Sequence, residues 1–228
     1  MEHAWLLPAI PVVAFLVIAL FKRLLPHDGD WLAILGMAAV VVISALIILD
    51  FQDGGDATYS FDWATIGGSF FVIEFSTYVD SITLVMLAAV TIVTLMVMVY
   101  SVGYMAGDQR YGWYFAVLSF FAAAMLMLVV SGNLLLLYLA WEGVGLASYL
   151  LIGFWWEKQS AAEAAKKAFI TTRIGDVGLL IAIILLWRGA GTFDIQEIIA
   201  FATSGGFDEK YLTITMLFLF AGAAGKSA

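Results

Sequence analysis

The sequence predicts an all-α integral membrane protein, a polytopic bundle of about seven transmembrane helices with a surface β-hairpin in the second loop. Three observations carry that prediction. Of 228 residues, 64% are hydrophobic and only 12% are charged, whereas soluble domains average about 45–50% and about 25%. Seven apolar windows reach or approach the span of about 20 residues that a hydrocarbon core of about 30 Å demands. Trp5, Trp31, Trp113, Trp155, Trp156 and Trp187 stand at window edges, where an aromatic interfacial belt places them.

The windows are Trp5–Phe21, Trp31–Leu49, Ile82–Val102, Trp113–Val130, Leu134–Trp156, Phe169–Trp187 and Tyr211–Ala224. Pro8 and Pro11 begin or kink the first. The opening MEHAWLLPAIP has no basic leader and no small-residue cleavage site, so it reads as a first span and not as a removed signal. In the loop Asp50–Asp80, FDWATI and SFFVIEF flank Gly67-Gly68, two strand-like runs around a turn, which predicts a hairpin on the membrane surface. Asp194–Phe201 (DIQEIIAF) has an apolar stripe at helical spacing, a short interfacial helix. No internal repeat is evident. The spans divide into residues 1–112, helices one to three with the hairpin loop 50–80, and residues 113–228, helices four to seven.

Basic residues orient the bundle. Lys22, Arg23, Arg110, Lys158, Lys166 and Lys167 fall on one side, and only Arg188 and Lys210 on the other. The N-terminus and the hairpin are therefore expected to face outward. The net charge of −8 comes mostly from loop acids and says little about partners. There is no cysteine, which excludes disulfides, thiolate metal sites, iron–sulfur ligation and Cys nucleophiles.

Four ionisable groups fall inside or at the end of spans: Glu142, Arg173, Asp176 and Lys226. A charge at the bilayer centre costs roughly 2.5–3.5 kcal/mol on insertion scales, so such groups face protein or water. Glu142 lies about 12 Å beyond Leu134, and Asp176 about 10 Å past Phe169, both near mid-depth. Tyr138, Gly145, Leu146 and Tyr149 share the helical face of Glu142, and the glycine admits another helix. Arg173 and Asp176, three apart, can pair, either as a static lock between helices or as part of an ion path. Lys226 follows the small-residue run Gly222–Gly225, of the kind that marks ion sites in transporters, although a lysine near a helix end can also snorkel. Burial disfavours the charged form of an acid or an amine and an opposite charge restores it, so a carboxylate and a lysine on separate spans suit proton transfer. A satisfied structural carboxyl is the plain alternative for Glu142, and a solvated helix start for Glu163, Lys166 and Lys167.

Two motifs mislead. Gly225-Lys226-Ser227 resembles the tail of a phosphate-binding loop, but Phe220 stands where its first glycine belongs. Gly143-Val144-Gly145 lacks the strand–turn–helix context of a dinucleotide fingerprint. His3 and His27 have no metal-ligand spacing. Nothing reads nucleic acid.

The runs WEGVGLASYLLIGF from Trp141, KAFITTRIGDVG from Lys167 and GKSA from Gly225, in this order, resemble the proton-translocating antiporter-like subunit L of respiratory complex I, whose mitochondrial counterpart is NADH dehydrogenase subunit 5. The hairpin followed by YVDSITL fits the same pattern. The resemblance implies an incomplete first half of an inverted-repeat antiporter-like fold, with residues 113–228 as the start of its first proton-channel repeat. It implies that Glu142 pairs with and tunes a channel lysine, that Lys226 is that lysine on a broken helix, and that Asp176 and Arg173 modulate the pair. Lys167 matches a family lysine. It further implies no cofactor in this chain, with NADH, FMN, iron–sulfur clusters and quinone in partner subunits. The partners would be other membrane subunits, a neighbouring antiporter-like subunit among them, and the lipid bilayer. A bacterial or archaeal cell membrane is the expected location, an organellar inner membrane the alternative. Family members are much longer, so the chain reads as an N-terminal fragment or a truncated product. The multisubunit sodium/proton antiporters share the ancestry and are the alternative function; a non-conducting structural subunit is the third.

Overall fold

Inside a bilayer, backbone N–H and C=O groups find no water, so an apolar chain must satisfy them within helices. The computed structural model describes residues 3–51, 57–66 and 71–227. Among those residues it has α1 (Leu6–Phe21), α2 (Asp30–Asp50), α3 (Ser81–Tyr104), α4 (Tyr111–Val130), α5 (Leu134–Ile152), α6 (Gln159–Ala190), α7 (Ile195–Thr203) and α8 (Glu209–Lys226). Two strands, β1 (Ala57–Ile66) and β2 (Phe71–Val79), pair between α2 and α3. Among the described residues, six helical stretches are long and apolar enough to cross a membrane. α8 is not among these six: its 18 residues include the charged Glu209, Lys210 and Lys226. The hairpin is present as predicted; its Gly67-Gly68 turn lies outside the described residues.

The chain forms two compact units. The first comprises residues up to Tyr59 with Thr77–Val130 and contains α1 to α4. One of its helices, α3, buries a stripe rich in hydroxyl residues and turns an apolar face outward. On α3 the inward positions are Thr83, Leu87, Thr91, Thr94, Met98 and Ser101, while Val85 on the outer face is 70% exposed. A soluble helix does the reverse; lipid tails accept the apolar face and small hydroxyl residues let helices close up. α1 packs on α4, with Phe15 and Phe120 ring centroids 5.1 Å apart, and α2 packs on α3. α4 is buried nearly all round its circumference, from Phe115 to Val130. It packs on α1, α2 and α3, the helices that precede it. The reversal between α1 and α2 is tight: His27 and Asp28 take φ of 51° and 55°, a region unfavourable to residues with a Cβ. Contacts to α4 accompany it. The Tyr111 hydroxyl donates to Asp30 Oδ2 at 2.7 Å, and a Cβ on Gly112 would meet the Asp28 carbonyl oxygen at 2.9 Å.

The second unit, Ser60–Ser76 with Ser131–Ala228, contains α5 to α8 and the candidate site. Its floor is a small knot of backbone bonds. Leu134 N–H donates to Phe193 O at 2.9 Å, Ile195 N–H to Gly132 O at 3.1 Å, and Gly132 N–H to Ser76 O at 2.9 Å. Asn133 caps α5, accepting from Leu136 N–H at 2.8 Å while its amide donates to Ser76 Oγ at 3.1 Å. Asn133→Ala therefore removes a cap and a buried side-chain bond, and a stability loss of about 1–2 kcal/mol is expected, seen as earlier thermal unfolding of the purified chain in detergent. Above the knot, Leu134, Leu179, Ile183, Leu186 and Ile198 form a buried apolar cluster. α5 ends at Ile152, four residues short of the expected window, and leaves Trp155 and Trp156 in a turn. α6 is longer than its window: its 32 residues span about 48 Å, with a polar first third around the exposed Glu163, Lys166 and Lys167. The predicted Asp194–Phe201 helix is α7, capped by Asp194.

Candidate functional site

Three helices of the second unit supply the site: α5, α6 and α8. α8 starts beside the end of α6, where Tyr211 hydroxyl donates to Leu185 O at 2.7 Å. It then runs back along α6. Glycines on both sides make their approach close: a Cβ on Gly175 would fall 2.9 Å from Gly225 Cα, one on Gly225 2.7 Å from Gly175 Cα, and one on Gly178 3.1 Å from Phe218 O. Such glycine-mediated backbone contact is a membrane packing device, since lipid supplies no hydrophobic drive between helices. The contact fixes the depth of the next residue. Sixteen residues of rise from Glu209 place Gly225 about 24 Å up α8, level with the middle of α6.

Lys226 is the last helical residue of α8. Its Nζ donates to the Trp141 carbonyl oxygen on α5 and lies 4.7 Å from the centroid of the Trp141 ring. A helical carbonyl is normally screened by the side chain four residues on. Here that residue is Gly145, and a Cβ there would stand 3.3 Å from Lys226 Nζ. The glycine that admits a neighbour on the Glu142 face thus admits the ammonium itself.

On the other side of Trp141, its indole Nε1–H donates to Asp176 Oδ1 at 2.6 Å. Asp176 is 1% exposed. Arg173, one turn earlier on α6, forms an ion pair with Glu142 Oε2 across to α5 and stands 4.0 Å from Asp176 Oδ2. Its guanidinium also lies over the Phe169 ring, 4.6 Å from the centroid. Among the described residues, Glu142 Oε1 and Asp176 Oδ2 are buried without a hydrogen-bond donor. Two acids and two bases make the set formally neutral, which is how a low-dielectric interior tolerates four charges.

The set sequence reasoning expected is therefore brought together, except for Lys167. That residue is exposed on the polar first third of α6, about 9 Å along the helix before Arg173. The partnering differs from the expected one. Among the described residues no ion pair joins Glu142 to Lys226; Arg173 takes Glu142, and Lys226 takes a backbone carbonyl. The reason is angular. Trp141 and Gly145 lie one above the other on α5, whereas Glu142 is turned about 100° from Trp141. α8 is also unbroken through Lys226 over the described residues, not interrupted before it. Trp141 was missed as a site residue. Its signal was present: an indole N–H at mid-span needs an acceptor when buried, and Asp176 is the acceptor.

Fold and site together define an antiporter-like membrane bundle. Residues 131–228 match the family described as NADH:quinone oxidoreductase/Mrp antiporter, TM. Residues 63–115 match the family described as the chain 5 N-terminus of NADH-ubiquinone oxidoreductase (complex I). The chain is 41% identical over 247 residues to F(420)H(2) dehydrogenase subunit L of Methanosarcina mazei, an alignment covering 99% of this chain and 36% of that protein. It is 36% identical over 237 residues to the chloroplastic NAD(P)H-quinone oxidoreductase subunit 5 of Carpenteria californica, covering 100% of this chain and 32% of that one. It thus spans about a third of the length of the curated relatives it matches. Its fold recurs in the Mrp complex of a Dietzia species, with a TM-score of 0.81 at 23% identity over 99% of this chain and 24% of that one. It recurs also in the archaeal membrane-bound sulfane sulfur reductase complex, with a TM-score of 0.83 at 13% identity over 98% of this chain and 44% of that one. The chain is thus similar, over residues 63–115 and 131–228, to antiporter-like membrane subunits of NADH:quinone oxidoreductases and Mrp antiporters, and along nearly all its length to about a third of each of the two relatives.

Proposed function

We propose that this chain forms part of a proton-translocating membrane subunit of a quinone-reducing oxidoreductase of the complex I type. Electrons pass from a donor to quinone in partner subunits, which carry the flavin and iron–sulfur centres. The donor is NADH, although one relative is named for F(420)H(2) and another for NAD(P)H. This chain contributes no cofactor and holds the protons. Neighbouring antiporter-like membrane subunits are its partners, in a bacterial or archaeal cell membrane with the N-terminus outside.

The observation that supports this reading best is the neutral set of Glu142, Arg173, Asp176 and Lys226 spread over three helices. In a neutral set, adding a proton to one member changes the charge felt by all, so proton occupancy and helix position are coupled. Lys226 is the loading group. As an ammonium it is held by the Trp141 carbonyl and ring; as an amine, its proton given up, it loses the cation–π attraction and is free to leave that seat. Arg173 stays charged throughout and stands between Glu142 and Asp176, so a small shift of its guanidinium toward Asp176 loosens Glu142 and changes the field at Lys226. Lys167, nearer the basic side of the membrane, serves proton exchange with that surface.

The test is donor-driven acidification of inverted membrane vesicles carrying the assembled complex. Glu142→Gln is expected to lower pumping several-fold per assembled complex while electron transfer continues. Unchanged pumping refutes the assignment. Sodium-dependent pH change without an electron donor would move the chain to the sodium/proton antiporters. Assembly failure with normal pumping per surviving complex would make it a structural subunit.

A further inference from the structure

Lys226 and Asp176, the amine and the most deeply buried acid of the set, form no ion pair among the described residues, yet both are bound to one residue. Trp141 meets Lys226 with its carbonyl and its ring face, and Asp176 with its indole N–H. We propose that Trp141 is the positioning residue that couples Lys226 to Asp176, so that the charge on the lysine is transmitted to the acid through the orientation of one indole ring. The inference rests on the proton-translocating reading above and goes further by assigning a coupling element that carries no titratable group.

Each contact has its own physical consequence. The N–H···O bond of 2.6 Å requires the indole edge to face α6. The ring face favours the ammonium form of Lys226 from the side of α8. One ring satisfies both only in the orientation observed. When Lys226 becomes neutral the cation–π attraction is lost, the ring is less constrained, and the bond to Asp176 weakens. The loss of charge at Lys226 thus reaches Asp176 as a change in its hydrogen bonding. Arg173 is the other charge facing Asp176, at 4.0 Å from Oδ2, and it keeps the acid from being held by Trp141 alone. Gly145 completes the device: a Cβ there would stand 3.3 Å from Lys226 Nζ and require the ammonium to shift.

The coupling is tested in the assembled complex with three variants. Trp141→Phe keeps the carbonyl and an aromatic face for Lys226 and removes the N–H together with part of the ring area. Pumping per assembled complex is expected to fall about three- to tenfold, with its pH profile displaced relative to wild type. Trp141→His, which retains a ring N–H, is expected to recover part of that loss. Combined with Asp176→Asn, Trp141→Phe is expected to add less than its single-variant factor, because the carboxylate it served is gone; independent sites would multiply. Multiplicative losses, or an unmoved pH profile with Trp141→Phe, would overturn the coupling and leave Trp141 a packing residue. If Glu142→Gln still lowers pumping in the same membranes, only this inference has failed; if neither variant affects pumping, the proton-translocating reading has failed with it.

Discussion

Gly225→Val is expected to remove Lys226 from its seat and reduce pumping by more than tenfold, with a marked loss of assembled complex. A Cβ on Gly225 meets Gly175 Cα at 2.7 Å and Gly175 N at 3.2 Å, and these are backbone atoms that cannot rotate aside. The opposing glycine offers no relief, since the two backbones already touch there. α8 must therefore move off α6. Overpacking costs typically about 1–3 kcal/mol, and more where the obstruction is backbone. The functional loss exceeds the stability loss because Lys226 is the adjacent residue, and a displacement of an ångström or two breaks its bond to the Trp141 carbonyl. Ala224→Val adds a similar volume on the exposed side of α8 and is expected to be tolerated. Native gels for assembly and vesicle acidification for pumping separate the two; equal behaviour of the two variants would mean that the close glycine contact does not govern the site.

Arg173→Ala leaves two carboxylates facing one amine, a net charge of −1 at mid-membrane. Removing one partner of a buried ion pair costs about 3–5 kcal/mol. With a side chain 39% exposed, Arg173 belongs at the low end of that range. The expected result is poor assembly and severe loss of pumping. The diagnostic is charge balance: Glu142→Gln in the Arg173→Ala background restores neutrality and should recover assembly without recovering pumping. Arg173→Lys keeps the charge but loses the planar fork that reaches toward both carboxylates, and should assemble with reduced pumping. If the double variant assembles no better than Arg173→Ala alone, the ion pair to Glu142 is not what that arginine contributes.

Much of the architecture was legible because bilayer physics acts on local sequence. A span declares itself by its length of uncharged residues, and α1 to α5 begin within two residues of the apolar windows. What failed locally failed for local reasons. The extra length of α6 is polar helix outside hydrocarbon, where hydropathy carries no signal. Arg173 and Asp176 were legible as neighbours from their spacing of three, and the structure has them 4.0 Å apart. The bond from Trp141 to Asp176 joins residues 35 positions apart, and no periodicity reports it.

The sequence by itself determined that this is a helical membrane bundle and that Glu142, Arg173, Asp176 and Lys226 are its costly residues. Both follow from the free energy of placing side chains in hydrocarbon, which depends on residue type and on near neighbours along the chain. Only the tertiary structure decided the depth of Lys226 and who holds whom. Those depend on glycines some 50 positions apart that bring two backbones into contact, and on the angle at which α8 presents its last residue to α5. An amine that sequence left free to snorkel is thereby held on a tryptophan carbonyl at mid-bundle, with the arginine and not the lysine taking the glutamate.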